Sequence, residues 1–325
     1  MKKIKHKVAR QLLKVIDISL VCAFMLLRMI GYILPASAVY DIASALGYAL
    51  YYLIPGSRKR LFNIVSEAMP ELTDSKHIKR IGRSSIIELY NTMFDLAVYA
   101  RHKDRLIKHA VIEGLENLDR ADAFGKGAII ASVHIGGWPL GIIAAPRMGI
   151  QATLIGINPD FTFTPRFVRA AYKFADSLGC GEMILTGRDT VGQSLEVLKQ
   201  NKRLIFAADV IGEEIVDMFG RPAAIANGMG RIACDSGAPV VPVYIFREKG
   251  PWKFRACFRE PIQCQPGGDR AGDVNAIIQE VMRGVESEIR RVPQQWTQWG
   301  ALGRWWKKAE ELNREQSAVK YEEDQ

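Results

Sequence analysis

The stretch Gly127–Leu140, GAIIASVHIGGWPL, decides how the chain is read. Its first half, Ala128 to Val133, is a short and almost wholly apolar run opened by a glycine. A run of that length suits a strand buried on both faces, as in a parallel sheet. The second half changes character. His134 closes the run, Gly136 and Gly137 allow backbone to approach a ligand tightly, and Pro139 stands where a helix would begin. With an unperturbed pKa of about 6.5, a histidine at such a strand-to-helix corner can take a proton from a hydroxyl near neutral pH. His134 is therefore the candidate general base, with Gly136, Gly137 and Trp138 as candidate substrate contacts, although a lone histidine is often only structural.

Outward from this corner, short apolar runs alternate with helical stretches. The runs are Ala128 to Val133, Ala152 to Ile157, Glu182 to Thr186, Leu204 to Ala208, Val240 to Phe246 and Trp252 to Phe258. Between them, Trp138 to Met148, Pro165 to Leu178, Asp189 to Gln200 and Gly228 to Ser236 have the lengths of crossover helices. Upstream, Arg58 to Ala68 and Ser75 to Ala100 read as amphipathic helices, and Asp273 to Arg290 as a last one. The pattern predicts an α/β fold, with a mixed, mostly parallel sheet flanked by helices and the last two strands paired antiparallel.

Composition narrows the class. The 325 residues are 48% hydrophobic and 24% charged, which excludes a disordered or collagen-like chain. Forty-four Lys and Arg against 35 Asp and Glu give +9, favouring an anionic partner, with nucleic acid and acidic lipid both open on charge alone. Cys22, Cys180, Cys234, Cys257 and Cys264 form no CxxC pair, and their scatter suits a reducing compartment better than a disulfide framework. The five histidines make no HxxxH pair, so no metal site is expected.

The amino terminus reads as a membrane signal. Lys2, Lys3, Lys5, Lys7, Arg10 and Lys14 precede Val15 to Leu34, where sixteen of twenty residues are apolar. That length matches a bilayer core, with Asp17 and Arg28 making it a marginal span. The basic flank would stay on the cytoplasmic side and attract anionic headgroups. A secretory signal peptide is a rival, with Ala36, Ser37 and Ala38 as a cleavage-like site, but the apolar run is long for one. A second apolar segment, Val39 to Ile54, carries Tyr40, Tyr48, Tyr51 and Tyr52, suited to an interfacial hairpin, or, more plainly, to a buried helix pair. Residues 1–55 are thus expected to anchor, 56–310 to form the α/β domain, and 311–325 to be an acidic tail ending in Glu322, Glu323 and Asp324.

Other motifs are weaker. Gly228 to Ala233 fits GxGxxA, the basis for a competing reading as a soluble nucleotide-binding enzyme; a packing role at a helix start explains it more simply. GxxxxGK[ST] and GxSxG are both missing. Arg188, Arg221 and Arg231 follow apolar runs or turns, where a guanidinium could fork onto phosphate.

Several of these segments coincide with one family. Gly114 to Leu118, Gly125 to Trp138, Phe219-Gly220-Arg221 and Ala233 to Arg247 resemble the bacterial lipid A biosynthesis acyltransferases, the lauroyl and myristoyl transferases. Arg58 to Asn63, Met69 to Leu72, Pro293 to Trp296, Trp299 and Arg304 to Lys307 extend the resemblance over most of the chain. More remotely, the chain is similar to mycobacterial phosphatidylinositol mannoside acyltransferases.

The resemblance implies a fold like that of glycerolipid acyltransferases and a membrane-bound enzyme on the cytoplasmic face of the bacterial inner membrane. It would move a fatty acyl group from acyl carrier protein or coenzyme A to a glycolipid of the lipid A kind, with no cofactor beyond that thioester and no nucleic-acid partner. In the family pattern, a histidine and an acid five positions later form a dyad. Here His134 is present, but Pro139 stands at the acid position. Asp209 matches an acidic position at the end of the next family strand and is expected to support His134 through space, ahead of Glu213 and Glu214. Arg188 and Arg221 match positions suited to phosphopantetheine or an acceptor phosphate. The alternative is a catalytically impaired, lipid-binding or scaffolding protein of the same fold.

Overall fold

A computed structural model describes residues 2–250 and 253–323. The chain opens with four helices, α1 (Lys2–Ile33), α2 (Ala36–Leu53), α3 (Pro55–Ala68) and α4 (Ser75–His109). Then come β1 (Val111–Glu113), α5 (Leu115–Asp122), β2 (Ala128–Ser132), α6 (Trp138–Ala144), β3 (Thr153–Gly156), α7 (Pro165–Ser177), β4 (Met183–Leu185), α8 (Thr190–Lys199) and β5 (Arg203–Ala207). A hairpin of β6 (Ile211–Met218) and β7 (Arg221–Ile225) leads to α9 (Gly228–Ser236), β8 (Val240–Arg247), β9 (Phe254–Phe258), α10 (Arg270–Arg291) and α11 (Trp299–Glu323).

Seven strands form one sheet in the order β1-β9-β8-β2-β5-β3-β4. Every pairing is parallel except β8 with β9. The expected mixed α/β sheet with flanking helices is present, including the antiparallel last pair. Trp252, the first residue of the expected final strand, lies outside the described residues. β2 is central and wholly buried, as a strand covered on both faces should be. Its side chains alternate: Ile129, Ala131 and Val133 enter a core shared with α3, α9, α10 and α11, whereas Ala128 and Ile130 enter a second core shared with α2, α4 and α6. Several elements escaped the sequence reading, among them β1, with only three residues, α5, the β6–β7 hairpin and α11.

The expected membrane span is not there. No helix among the described residues is long and apolar enough to cross a membrane. Asp17 gives the physical reason. Its carboxylate is 1% exposed and accepts from the backbone N–H of Arg166 at 3.1 Å and of Phe167 at 2.9 Å, capping the first turn of α7, where Thr164 provides no side-chain cap. Phe24 meets the rings of Phe167 and Phe174 edge-on, and Arg28 lies over Phe174. The two charges that looked like flaws in a span are thus docking contacts. The second apolar segment, α2, packs on α4 so closely that a Cβ at Gly47 would stand 2.8 Å from Ile87 Cα. Tyr40 donates to Asp95 at 2.6 Å rather than facing headgroups, whereas Tyr48 and Tyr52 are exposed.

One further expectation needs correction. Cys234 and Cys264 form a disulfide, with Cα atoms 5.2 Å apart. Their separation of 30 residues carried no local signal; α9 and the segment after β9 bring them together. The residues read as an acidic tail are helical to Glu323 as part of α11, and Asp324 lies outside the described residues.

Candidate active site

His134 and Asp209 come from neighbouring strands in register. Ser132 of β2 is paired with Ala207 of β5, and Ala208 N–H donates to Ser132 C=O at 2.8 Å. Two residues further on, both chains leave the sheet at its carboxyl edge, and His134 Nδ1 lies 2.7 Å from Asp209 Oδ1. Such an edge, beside the strand where the winding changes direction, is where open α/β sheets place ligands. Here β3, β4 and β5 lie on one side of β2, and β8, β9 and β1 on the other.

Asp209 is fully buried, and donors surround it. The His134 backbone N–H points at both oxygens (3.1 and 3.0 Å), and the Trp296 indole donates to Oδ2 at 2.9 Å. Because an ionised carboxylate only accepts, Nδ1 of His134 carries the proton and Nε2 keeps its lone pair. The His134 side chain is 18% exposed. Burial alone would push its pKa down; the Asp209 charge and hydrogen bond outweigh this and hold the ring above its ordinary value. The Trp138 ring stands edge-on at 4.7 Å.

The remaining sequence candidates fall in different places. Gly136 has φ +53°, and a Cβ there would lie 2.4 Å from Gln295 Oε1 and 2.6 Å from Ile245 C=O, so protein already fills the space beside its Cα. Its N–H donates to Gln295 C=O at 3.0 Å. Gly137 precedes α6, and Trp138 and Pro139 open it, with Pro139 buried. Arg188 is exposed between β4 and α8, on the same sheet edge as His134 but three strand positions from β2, roughly 14 Å at the usual spacing. Arg221 is held elsewhere. It pairs with Glu67 at 2.7 Å and Glu310 at 3.3 Å and stacks on Trp306, in a cleft of about 600 Å³ whose walls include neither His134 nor Asp209. Glu213 is exposed on β6, and Glu214 accepts from Asn275 at 2.8 Å. In the GxGxxA segment, a Cβ at Gly230 would meet Ile278 at 2.7 Å, so close helix packing accounts for that glycine.

Sequence reasoning missed the far wall of the site. Thr297 donates through both N–H and Oγ1 to His134 C=O, each at 3.0 Å. Gln295 bridges the backbone of Arg247, whose guanidinium binds Glu88 at 2.6 Å and Asp95 at 2.8 Å. The segment Pro293 to Trp296 was visible as a motif, but nothing in its pattern reveals that its indole meets Asp209. On the α6 side, Ile130, Ser132, Ile142, Ile205 and Ile245 line an apolar seam of only about 30 Å³, room for a single water.

The chain is 30% identical over 205 residues to a phosphatidylinositol mannoside acyltransferase of Mycobacterium tuberculosis, a match covering 61% of this chain and 59% of that one. It thus spans about three fifths of the length of that relative. A protein of the same name from Mycolicibacterium smegmatis is 26% identical over 247 residues, 74% of this chain and 76% of the other. Among solved structures, the LPA acyltransferase PlsC of Thermotoga maritima overlaps loosely, with a TM-score of 0.38 and 16% identity over 77% of this chain and 97% of that one. The family model described as bacterial lipid A biosynthesis acyltransferase matches residues 3–308, and with nearly the whole chain covered the protein belongs to that family.

Proposed function

We propose that the protein transfers a fatty acyl group from an acyl carrier protein or coenzyme A thioester to a hydroxyl of a glycolipid, with His134 as general base. The observation that carries this reading is the 2.7 Å contact between His134 Nδ1 and the buried Asp209 carboxylate, which orients the ring and leaves Nε2 free to take a proton. Nε2 removes the hydroxyl proton as the oxygen attacks the thioester carbonyl carbon. The C–S bond then breaks, and the imidazolium returns its proton to the departing thiolate, giving an ester and a free thiol. Asp209 stabilises the imidazolium and takes the place of the acid that Pro139 lacks.

The named relatives support a sugar-bearing lipid as acceptor, and Arg188 is the cation on the reactive edge suited to a donor phosphate. On this reading the enzyme works at the cytoplasmic face of the bacterial inner membrane, with its basic amino-terminal segment against anionic lipid. Pro139 favours a second reading, a lipid-binding scaffold that has lost turnover.

The test is purified protein with acyl carrier protein or coenzyme A thioesters and, as acceptors, phosphatidylinositol mannoside or a lipid A precursor, followed by mass spectrometry. Acyl transfer that His134→Ala abolishes supports the first reading. Undiminished turnover in His134→Ala refutes the base, whereas lipid binding with turnover appearing only in Pro139→Glu establishes the scaffold.

A further inference from the structure

His134 and Asp209 stand beyond the last rungs of the sheet. The ladder between β2 and β5 ends with Ser132 opposite Ala207 and the bond from Ala208 N–H to Ser132 C=O. The β2 chain then turns sharply: Ile135 N–H returns to Val133 C=O at 2.8 Å, a γ-turn centred on His134. A corner past the end of a ladder is held only by what packs against it. Here that is a segment 163 residues further along the chain. Gln295, Trp296 and Thr297 run antiparallel to Gly136, Ile135 and His134: Gly136 N–H donates to Gln295 C=O, Ile135 bridges Trp296, and Thr297 N–H donates to His134 C=O. Each side chain adds a grip. The Thr297 hydroxyl gives His134 C=O a second bond at 3.0 Å, and the Trp296 indole holds Asp209 Oδ2 at 2.9 Å. Gln295 closes on Arg247 at the end of β8, accepting from its N–H at 2.8 Å and donating to its C=O at 3.0 Å. The segment is itself anchored. Ser85 of α4 donates to Trp296 C=O at 2.8 Å, and the Trp299 indole donates to Pro293 C=O at 2.7 Å, both bonds buried.

We infer that Gln295–Thr297 is a strap that fixes the His134–Asp209 pair, and that Thr297 is the positioning residue through which it aims the imidazole. One segment grips both partners, so their separation is set by the strap rather than by the sheet. With the His134 N–H on Asp209 and its C=O on Thr297, both peptide planes flanking the residue are held. The ring can then turn only about its own side-chain bonds, and Nδ1 meets Asp209. A threonine suits this place because it offers two donors to one carbonyl, its N–H and its hydroxyl. The close approach also accounts for Gly136, where a Cβ would stand 2.4 Å from Gln295 Oε1: the glycine makes room for the strap. The inference rests on the acyl-transfer reading only for its effect on turnover; the hold on the ring needs no substrate.

The experiment compares Thr297→Val with Thr297→Ser in the full chain, by NMR titration of isotope-labelled histidine and by acyl-transfer kinetics. The His134 signals are those missing from His134→Ala. Valine keeps the side-chain shape and the backbone N–H bond, so the His134 carbonyl is not orphaned. Asp209 is the charged group that holds the ring above its ordinary pKa. Thr297→Val should therefore bring the pKa down toward about 6.5 or below and lower kcat about ten- to a hundredfold with KM unchanged. Thr297→Ser, which keeps the hydroxyl, should restore both. Gln295→Ala frees the strap from β8 and should act in the same direction, so it carries the test where the valine variant does not fold. A wild-type titration in Thr297→Val and Gln295→Ala, or an equal loss in Thr297→Ser, overturns the proposal. So does a variant that is less stable yet titrates like the wild type, since that is a structural role only. A shifted titration in a protein that transfers no acyl group removes the catalytic reading and leaves the strap standing.

Discussion

Three donors converge on the Asp209 carboxylate, the ring and backbone of His134 and the indole of Trp296, so the acid is fixed before any substrate arrives. Asp209→Asn should keep this shape and lower kcat by about 10⁴, as loss of an orienting acid does in a comparable triad. The pH dependence has a definite sign. Since Asp209 holds His134 above its ordinary pKa and the base works only when neutral, kcat/KM should rise with pH through a midpoint above about 6.5. In Asp209→Asn, burial alone remains, and the midpoint should fall below that value; a profile that does not move sinks the pairing. Stability runs the other way. The folded state gains from the charged pair below about pH 6.5 and loses that gain as pH rises through the folded pKa, which thermal unfolding against pH will read. Trp296→Phe removes one donor from a buried carboxylate and should cost about 1–3 kcal/mol.

Elements are joined by charges that the sequence hides among apolar neighbours. The carboxylate of Asp17 ties α1 to the start of α7, so Asp17→Ala should cost about 1–2 kcal/mol and speed hydrogen exchange in α1 more than in α4. The Arg247 guanidinium, at the end of β8, is buried between Glu88 and Asp95 of α4, with Tyr40 of α2 on Asp95. Burial raises the pKa of Glu88 even against the pull of Arg247. Removing the cation strands two acids in the core, and Arg247→Ala should destabilise by about 3–5 kcal/mol in denaturant unfolding. Arg247→Lys should recover little, because one ammonium cannot reproduce the fork that spans both carboxylates.

For the molecule as a whole, the Cys234–Cys264 bridge closes a loop of 30 residues between α9 and the segment after β9. The loop-closure model assigns such a bridge about 3–4 kcal/mol. Cys234→Ser should lower the unfolding midpoint accordingly, and a reductant should lower that of the wild type but not of the variant. Equal midpoints with and without reductant in the wild type would show that the bridge contributes nothing.

Local pattern by itself determined the strand that ends at His134, most crossover helices, the parallel character of the sheet and the glycine-rich corner, because each depends on periodicity and turn chemistry within a dozen residues. Resemblance placed Asp209 among the candidates for the missing acid. Only the tertiary structure decided that it meets His134, because that contact depends on β5 lying next to β2 with Ala207 opposite Ser132, an adjacency spanning 75 residues that no local pattern encodes. The same limit explains the amino terminus. Val15 to Leu34 has the composition of a span, but what that apolar face packs against depends on where α4 and α7 lie, and Asp17 meets the first turn of α7 only because the tertiary fold sets that helix against α1.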